Sequence, residues 1–246
     1  PREAAAVGRV PEKGPAARPP DKGGGMERAL VVGASGGIGA ALAGALAGRG
    51  AQVTRLSRSD DGMDLADEAS VTACLGALDG PFDTVIVATG ALAPAAQGPE
   101  KTLRAFDPAA FAQLMALNAA GPLLVLKHTL RLLPKGAPWR FAALSARVGS
   151  IGDNALGGWY SYRASKAALN QLLRTAAVEV ARSHPQGIVA LLHPGTVDTP
   201  FTTGYNPPYE KLAPARSAAM LLDVLDGLTP ADTGGFFDQT GARVPW

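Results

Sequence analysis

The sequence is short of the residues from which metal sites and covalent cross-links are built. Cys74 is the only cysteine among 246 residues, so neither an intrachain disulfide nor an all-cysteine zinc site can form. A single thiol is consistent with a reducing, cytoplasmic setting. His128, His184 and His193 are the only histidines, and no two stand at the i, i+4 spacing of a helical metal pair, so no metal is expected. Excess charge is nearly absent as well. The net charge of +2 resides in residues 1–25, and from residue 26 onward 18 basic groups balance 18 acidic ones. A nucleic-acid binder would carry a basic face or stripe, and none is seen. Aromatic residues make up only 6%, yet the 47% apolar fraction is ample for a packed core and excludes disorder throughout.

One long uncharged run does exist. Ala29 to Gly48 is twenty residues without a charge, long enough for a membrane span. Six of the twenty are glycine, at positions where a spanning helix would have to be continuous. That density argues for strand, loop and then helix, with no membrane. Residues 1–25 hold five prolines and five glycines without apolar periodicity, the composition of a flexible leader, a tag remnant or an upstream extension.

From Met26 the chain alternates. Short apolar runs (29–32, 52–56, 84–87, 140–144, 187–192) are separated by Ala- and Leu-rich segments with helical spacing, notably 40–49, 109–133 and 162–182. Strands recurring with helices between them imply βαβ units and a parallel sheet covered on both faces. The expected fold class is therefore α/β: a doubly wound, Rossmann-type three-layer sheet forming one domain over residues 26–246.

The first run leads straight into Gly33-Ala34-Ser35-Gly36-Gly37-Ile38-Gly39 and a helical pattern. Glycines at such a junction admit positive φ and close approach of a diphosphate, which the following helix's amide groups and dipole stabilise. The second run ends Ser57-Arg58. A carboxylate there would accept from a ribose 2′-hydroxyl, whereas a cation suits a 2′-phosphate. NADP(H) is therefore preferred, while Asp60 and Asp61 nearby leave NAD(H) possible. Among four tyrosines only Tyr162 has a lysine, Lys166, four positions later, so phenol and ammonium project from one helical face. The cation and a positively charged nicotinamide ring together are expected to lower the phenol's pKa toward a working proton shuttle.

These features together resemble the short-chain dehydrogenase/reductase family. The glycine spacing Gly-x3-Gly-x-Gly, the Tyr162-x3-Lys166 pair and the separation between them carry the likeness. Gly149 to Asn154, Gly157 to Arg163 and the ending Gly234 to Asp238 with Val244-Pro245-Trp246 look like its C-factor and sniffer carbonyl-reductase branch. The resemblance implies hydride transfer between NADP(H) and a small carbonyl or alcohol, Tyr162 giving the proton and Lys166 tuning it and holding the nicotinamide ribose. It implies further that Asn118 completes a proton relay and that Gly90 lies beside the adenosine. Ser35, Gly36, Gly37, Ile38 and Gly39 with Gly33 would cradle the diphosphate. Asp64 and Leu65 would meet the adenine, and Pro194, Gly195, Thr196, Val197 and Thr199 the nicotinamide side. A homodimer or homotetramer is implied too.

The family's substrate-polarising serine is harder to assign. Its usual place falls on Ala146, leaving Ser145 as the nearest hydroxyl and Ser150 as the second. Because Ala146 lacks the hydroxyl, a nucleotide-binding signalling or interaction protein with little turnover stands as the alternative. Phe201, Tyr205 and Tyr209, among prolines and glycine in residues 201–214, read as a substrate flap.

Overall fold

The computed structural model describes residues 28–94, 98–205 and 207–246. The expected leader lies outside them.

Six parallel strands form one sheet: β1 (Arg28–Val32), β2 (Gln52–Leu56), β3 (Thr84–Val87), β4 (Trp139–Leu144), β5 (Gly187–His193) and β6 (Gly235–Asp238), in the order β2-β1-β3-β4-β5-β6. Five helices flank it: α1 (Gly37–Gly48), α2 (Glu68–Gly76), α3 (Pro108–Leu132), α4 (Tyr160–Val180) and α5 (Pro214–Gly227). The doubly wound expectation holds, and five of the six strands fall where the apolar runs placed them. The sixth, β6, is an addition: four buried residues of which only Phe236 and Phe237 are strongly apolar, too few to form a run.

Strand alternation divides the core in two. Leu30, Val85, Val87, Phe141, Ala143, Val189 and Leu191 face the α2, α3 and α4 layer. Their neighbours Ala29, Val31, Ile86, Ala142, Ala190 and Leu192 face α1 and α5. This is the period-2 consequence of the pleat in a sheet buried on both sides. Trp139 opens β4 fully buried, and its ring lies where a side chain at Gly187 on β5 would stand, so that position accepts only glycine.

The twenty-residue uncharged run splits into β1, a turn and α1, as its glycines required. Among the described residues a different helix, α3, is long and apolar enough to cross a membrane by length and composition. In the fold its Leu114, Val125 and Leu126 are buried in this globular core. Within α3 the turn Ala116–Ala120 is π-helical. Pro122 has no N–H to offer the carbonyl four residues back, that of Asn118, and the ladder widens at this point.

The strand order reverses between β1 and β3. A crevice outside the carboxyl ends of strands at such a switch point is where doubly wound sheets bind ligands.

Candidate active site

A cleft of about 880 Å³ opens at that reversal. Its floor is the turn between β1 and α1, where Gly33 adopts φ +87° and donates its N–H to Leu56 O. The space is sterically reserved for glycine. A Cβ on Gly37 would stand 2.6 Å from Thr199 Cγ2, and one on Gly39 would run into Gly33 O. Gly36 precedes α1 in extended backbone, and no side chain caps the helix, leaving its first amide groups free toward the cleft. Thr89 Oγ1, above Gly33, is buried without a hydrogen-bond partner. A turn closed to side chains, uncapped amides and an unpartnered hydroxyl fit a diphosphate-bearing nucleotide.

Ser35, Gly36, Gly37, Ile38, Gly90, Pro194, Gly195, Thr196, Val197 and Thr199 all line the cleft, with Gly33 and Gly39 outside the lining. Ser57, Arg58, Asp64 and Leu65 lie outside its lining, at and beyond the end of β2. Ser57 accepts from Asp60 N, and its own N–H donates to Asp61 Oδ2 at 2.7 Å. This reciprocal cap fixes the short turn that starts with Arg58. Asp64 Oδ1 accepts from Ala66 N, and Leu65 is buried against Gly121.

On the opposite wall α4 presents Tyr162 and Lys166. Both are buried, and Lys166 Nζ lies 6.0 Å from the centre of the Tyr162 ring. Nζ donates to Leu144 O at 2.8 Å, at the end of β4. Burial without a carboxylate partner brings the lysine down to about 8. It also pushes the Tyr162 phenol up from its ordinary value. Burial alone sets this direction, opposite to the one a neighbouring positive charge would give. Among the described residues the Tyr162 hydroxyl has no hydrogen-bond partner.

Asn118 sits in the π-helical turn, wholly buried. Its Nδ2 donates to Ala91 O and Ser165 Oγ, and its Oδ1 accepts from Ala91 N. Gly90 passes so close that a Cβ would stand 3.3 Å from Asn118 Oδ1 and 3.4 Å from Lys166 Nζ. Asn118 therefore ties the end of β3 to α4. Both of its side-chain protons are engaged, so any relay at this residue would run through its backbone carbonyl.

Ser145 borders the cleft, but its hydroxyl points elsewhere. It continues the β4 face of Phe141 and Ala143 and donates to Asn170 Oδ1 on α4 at 2.6 Å. In this arrangement its hydroxyl is engaged with α4 and not with the cleft. Ser150 is buried outside the cleft lining, accepting from Asp153 N. Ala146, next to Ser145, lines the cleft as well.

Aromatic rings close the outer side. Trp159 meets Tyr162 and Tyr205 edge-on with centroids 6.2 and 5.7 Å apart, and Phe201 lies 6.1 Å from Tyr162. Thr196 Oγ1 and Tyr209 Oη are 3.0 Å apart. The expected flap residues Phe201, Tyr205 and Tyr209 therefore do border the cleft. Its charged lining residues already have partners. Arg147 pairs with Asp153 and Asp238, while Arg163 donates to the carbonyls of Gly157, Gly158 and Val148. His193, at the end of β5, is kept neutral to about pH 4 by burial and the Arg147 cation, with Asp238 opposing.

Residues 33–232 match the family model described as enoyl-(acyl carrier protein) reductase, a model of short-chain dehydrogenases and reductases. The chain belongs to the short-chain dehydrogenase/reductase family. Within this oxidoreductase family, C-signal of Myxococcus xanthus is 41% identical over 141 residues, 57% of this chain and 81% of that protein. The 1-hydroxy-2-glutathionyl-2-methyl-3-butene dehydrogenase of Rhodococcus sp. strain AD45 is 36% identical over 130 residues. The match covers 53% of this chain and only 56% of that relative. Two structures of a carbonyl reductase from Pseudomonas aeruginosa PAO1, one in complex with NADP, superpose with TM-scores of 0.72 and 0.69. Identity is 26% and 25%, over 90% of this chain and all of theirs.

Thr89, Trp159, Asn170 and Glu100 were not singled out in the sequence, although Thr89 and Trp159 line the cleft and Asn170 holds Ser145. The first three carried a local signal: a hydroxyl beside the strand-end glycine, an aromatic three residues before the tyrosine, and a polar residue one turn beyond the lysine. Glu100 carried none.

Proposed function

We propose that this protein is an NADP(H)-dependent carbonyl reductase that interconverts an uncharged carbonyl compound and its alcohol. The observation carrying the proposal is Tyr162: a buried phenol without a partner, one helical turn from Lys166, facing a cleft floored by the glycine turn. When bound, the cofactor would supply the hydride to the carbonyl carbon. Tyr162 delivers the proton to the carbonyl oxygen, and its raised pKa keeps that proton in place at neutrality. Lys166 stabilises the phenolate left behind and, with Thr199 and the Pro194–Val197 turn, orients the nicotinamide side. Gly33, Gly36, Gly37 and Gly39 hold the diphosphate. Ser57 and Arg58 receive the 2′-phosphate, with Asp64 and Leu65 beside the adenine. Trp159, Phe201 and Tyr205 exclude water and favour an apolar substrate. A cytoplasmic homodimer or homotetramer goes with this reading.

Assaying a panel of neutral ketones and aldehydes with NADPH and NADH in parallel tests it. Turnover with NADPH preferred is expected; NADH preference would overturn the role given to Arg58.

A second reading, a nucleotide-binding signalling protein with little turnover, is favoured by one observation. Ala146 supplies no hydroxyl and Ser145 is held by Asn170. Nucleotide binding without reduction of any panel member would support it.

A further inference from the structure

The helix that carries Tyr162 and Lys166 has no cap of its own. Its N-cap residue, Trp159, makes no side-chain cap hydrogen bond, and no acidic residue occupies the first turn. Trp159 is also the only non-glycine residue with positive φ among those described, at φ 53° and ψ 43°. Such a conformation in a bulky residue persists only where its surroundings hold it.

The surroundings that hold it converge on one residue, 61 positions before Ser161 in the chain. Glu100 lies in the connection between β3 and α3. Its carboxylate accepts from Ser161 N, 3.3 Å from each oxygen, and from the buried Ser161 hydroxyl. Its main-chain carbonyl accepts from Trp159 N at 2.5 Å. Gly158, at φ +66°, passes nearby: a Cβ there would be in van der Waals contact with Glu100 O at 3.6 Å. Glu100 thus grips the residues on both sides of Tyr160. One of them directly precedes Tyr162, and the other is the ring that packs edge-on against Tyr162 and Tyr205.

We infer that Glu100 is a positioning residue for the reaction: its carboxylate substitutes for the missing cap of α4 and thereby sets the Tyr162 phenol and the Trp159 wall of the substrate cleft. An anionic acceptor at a helix N-terminus satisfies free amides and complements the dipole. The inference rests on the proposed function, since it assumes that Tyr162 transfers the proton.

The test compares the full chain with Glu100→Ala, Glu100→Gln and Ser161→Ala. It measures kcat and KM for a neutral aryl ketone with NADPH, the NADPH Kd, and the 19F spectrum of 5-fluorotryptophan-labelled protein with Trp159 assigned by Trp159→Phe. Glu100→Ala is expected to lower kcat/KM about tenfold, through both constants, as misplacement of a reacting group does. The NADPH Kd should stay unchanged and the Trp159 resonance should move. Glu100→Gln keeps an acceptor and should recover most of the loss. Ser161→Ala should shift the same resonance, and its effect should not add to that of Glu100→Ala. An unmoved Trp159 resonance overturns the inference. So does a loss that tracks folded fraction alone, with KM intact and no rescue by Gln. If Glu100→Ala does not fold, Glu100→Gln and Ser161→Ala decide by the same criteria. Because the 19F readout needs neither cofactor nor substrate, it judges Glu100 even if the wild type reduces no ketone. Absence of turnover by the wild type would count against the proposed function alone.

Discussion

At the scale of single residues, the site is defined by which hydroxyl protons are free. Tyr162 has a free one, Ser145 has given its own to Asn170, and Ala146 has none. Restoring a donor in the cleft is the direct check. A positioned oxyanion donor is worth about 10²–10³ in kcat where the site is built around it. Ala146→Ser, placed in a site not evolved for it, should raise kcat about tenfold. Ser145→Ala should leave kcat within about threefold while lowering stability by about 1 kcal/mol, the worth of a buried hydrogen bond. Steady-state kinetics and thermal melts of both variants measure this; a Ser145→Ala variant that is folded but inactive would return Ser145 to the catalytic set. The sequence reveals Tyr162 and Lys166 because a helix turns a four-residue spacing into a shared face. It does not reveal the direction of the Ser145 hydroxyl, which depends on a partner 25 residues away. Nor does it reveal that burial raises the phenol's pKa, since desolvation is a property of the packed protein.

At the scale of elements, the glycine turn and the segment after β5 act as a pair. Thr199 Cγ2 fills the space that a side chain on Gly37 would need. Gly37→Ala should therefore weaken NADPH binding about tenfold or more. Thr199→Ser, which removes the offending methyl and keeps the hydroxyl, should restore much of it in the double variant. Nucleotide titrations of the three proteins check this; equal weakening with and without Thr199→Ser would mean that the clash is not the cause. Elements with strong local signals were legible. β1 through β5 follow from apolar runs, and α3 matches its predicted 109–133 span to within a residue at each end. The π-helical turn inside α3 was not, because it arises from a single missing donor at Pro122. Four-residue β6 was hidden for a different reason: its two phenylalanines stand between a glycine and an aspartate, too little apolar chain to stand out as a run.

At the scale of the whole molecule, the sheet reversal, the glycine turn, α4 and the aromatic wall meet around one volume. The chain keeps there a buried ammonium with no carboxylate beside it, a stability cost that active sites commonly retain. Other charges pair at the surface, such as Arg49 with Asp223 and Asp226, which tie α1 to α5 and contribute little each. The global arrangement was legible because alternating strands and helices admit few topologies. Contacts spanning the fold, such as Glu100 with Ser161, were not.

The most direct measurement of the central claim is single-turnover oxidation of NADPH by Tyr162→Phe, followed at 340 nm with saturating ketone. The account predicts a loss of about 10²-fold or more in the reduction rate, the scale of a missing general acid, with the NADPH dissociation constant and the thermal melt little changed. A variant that reduces the ketone as fast as the wild type would contradict it.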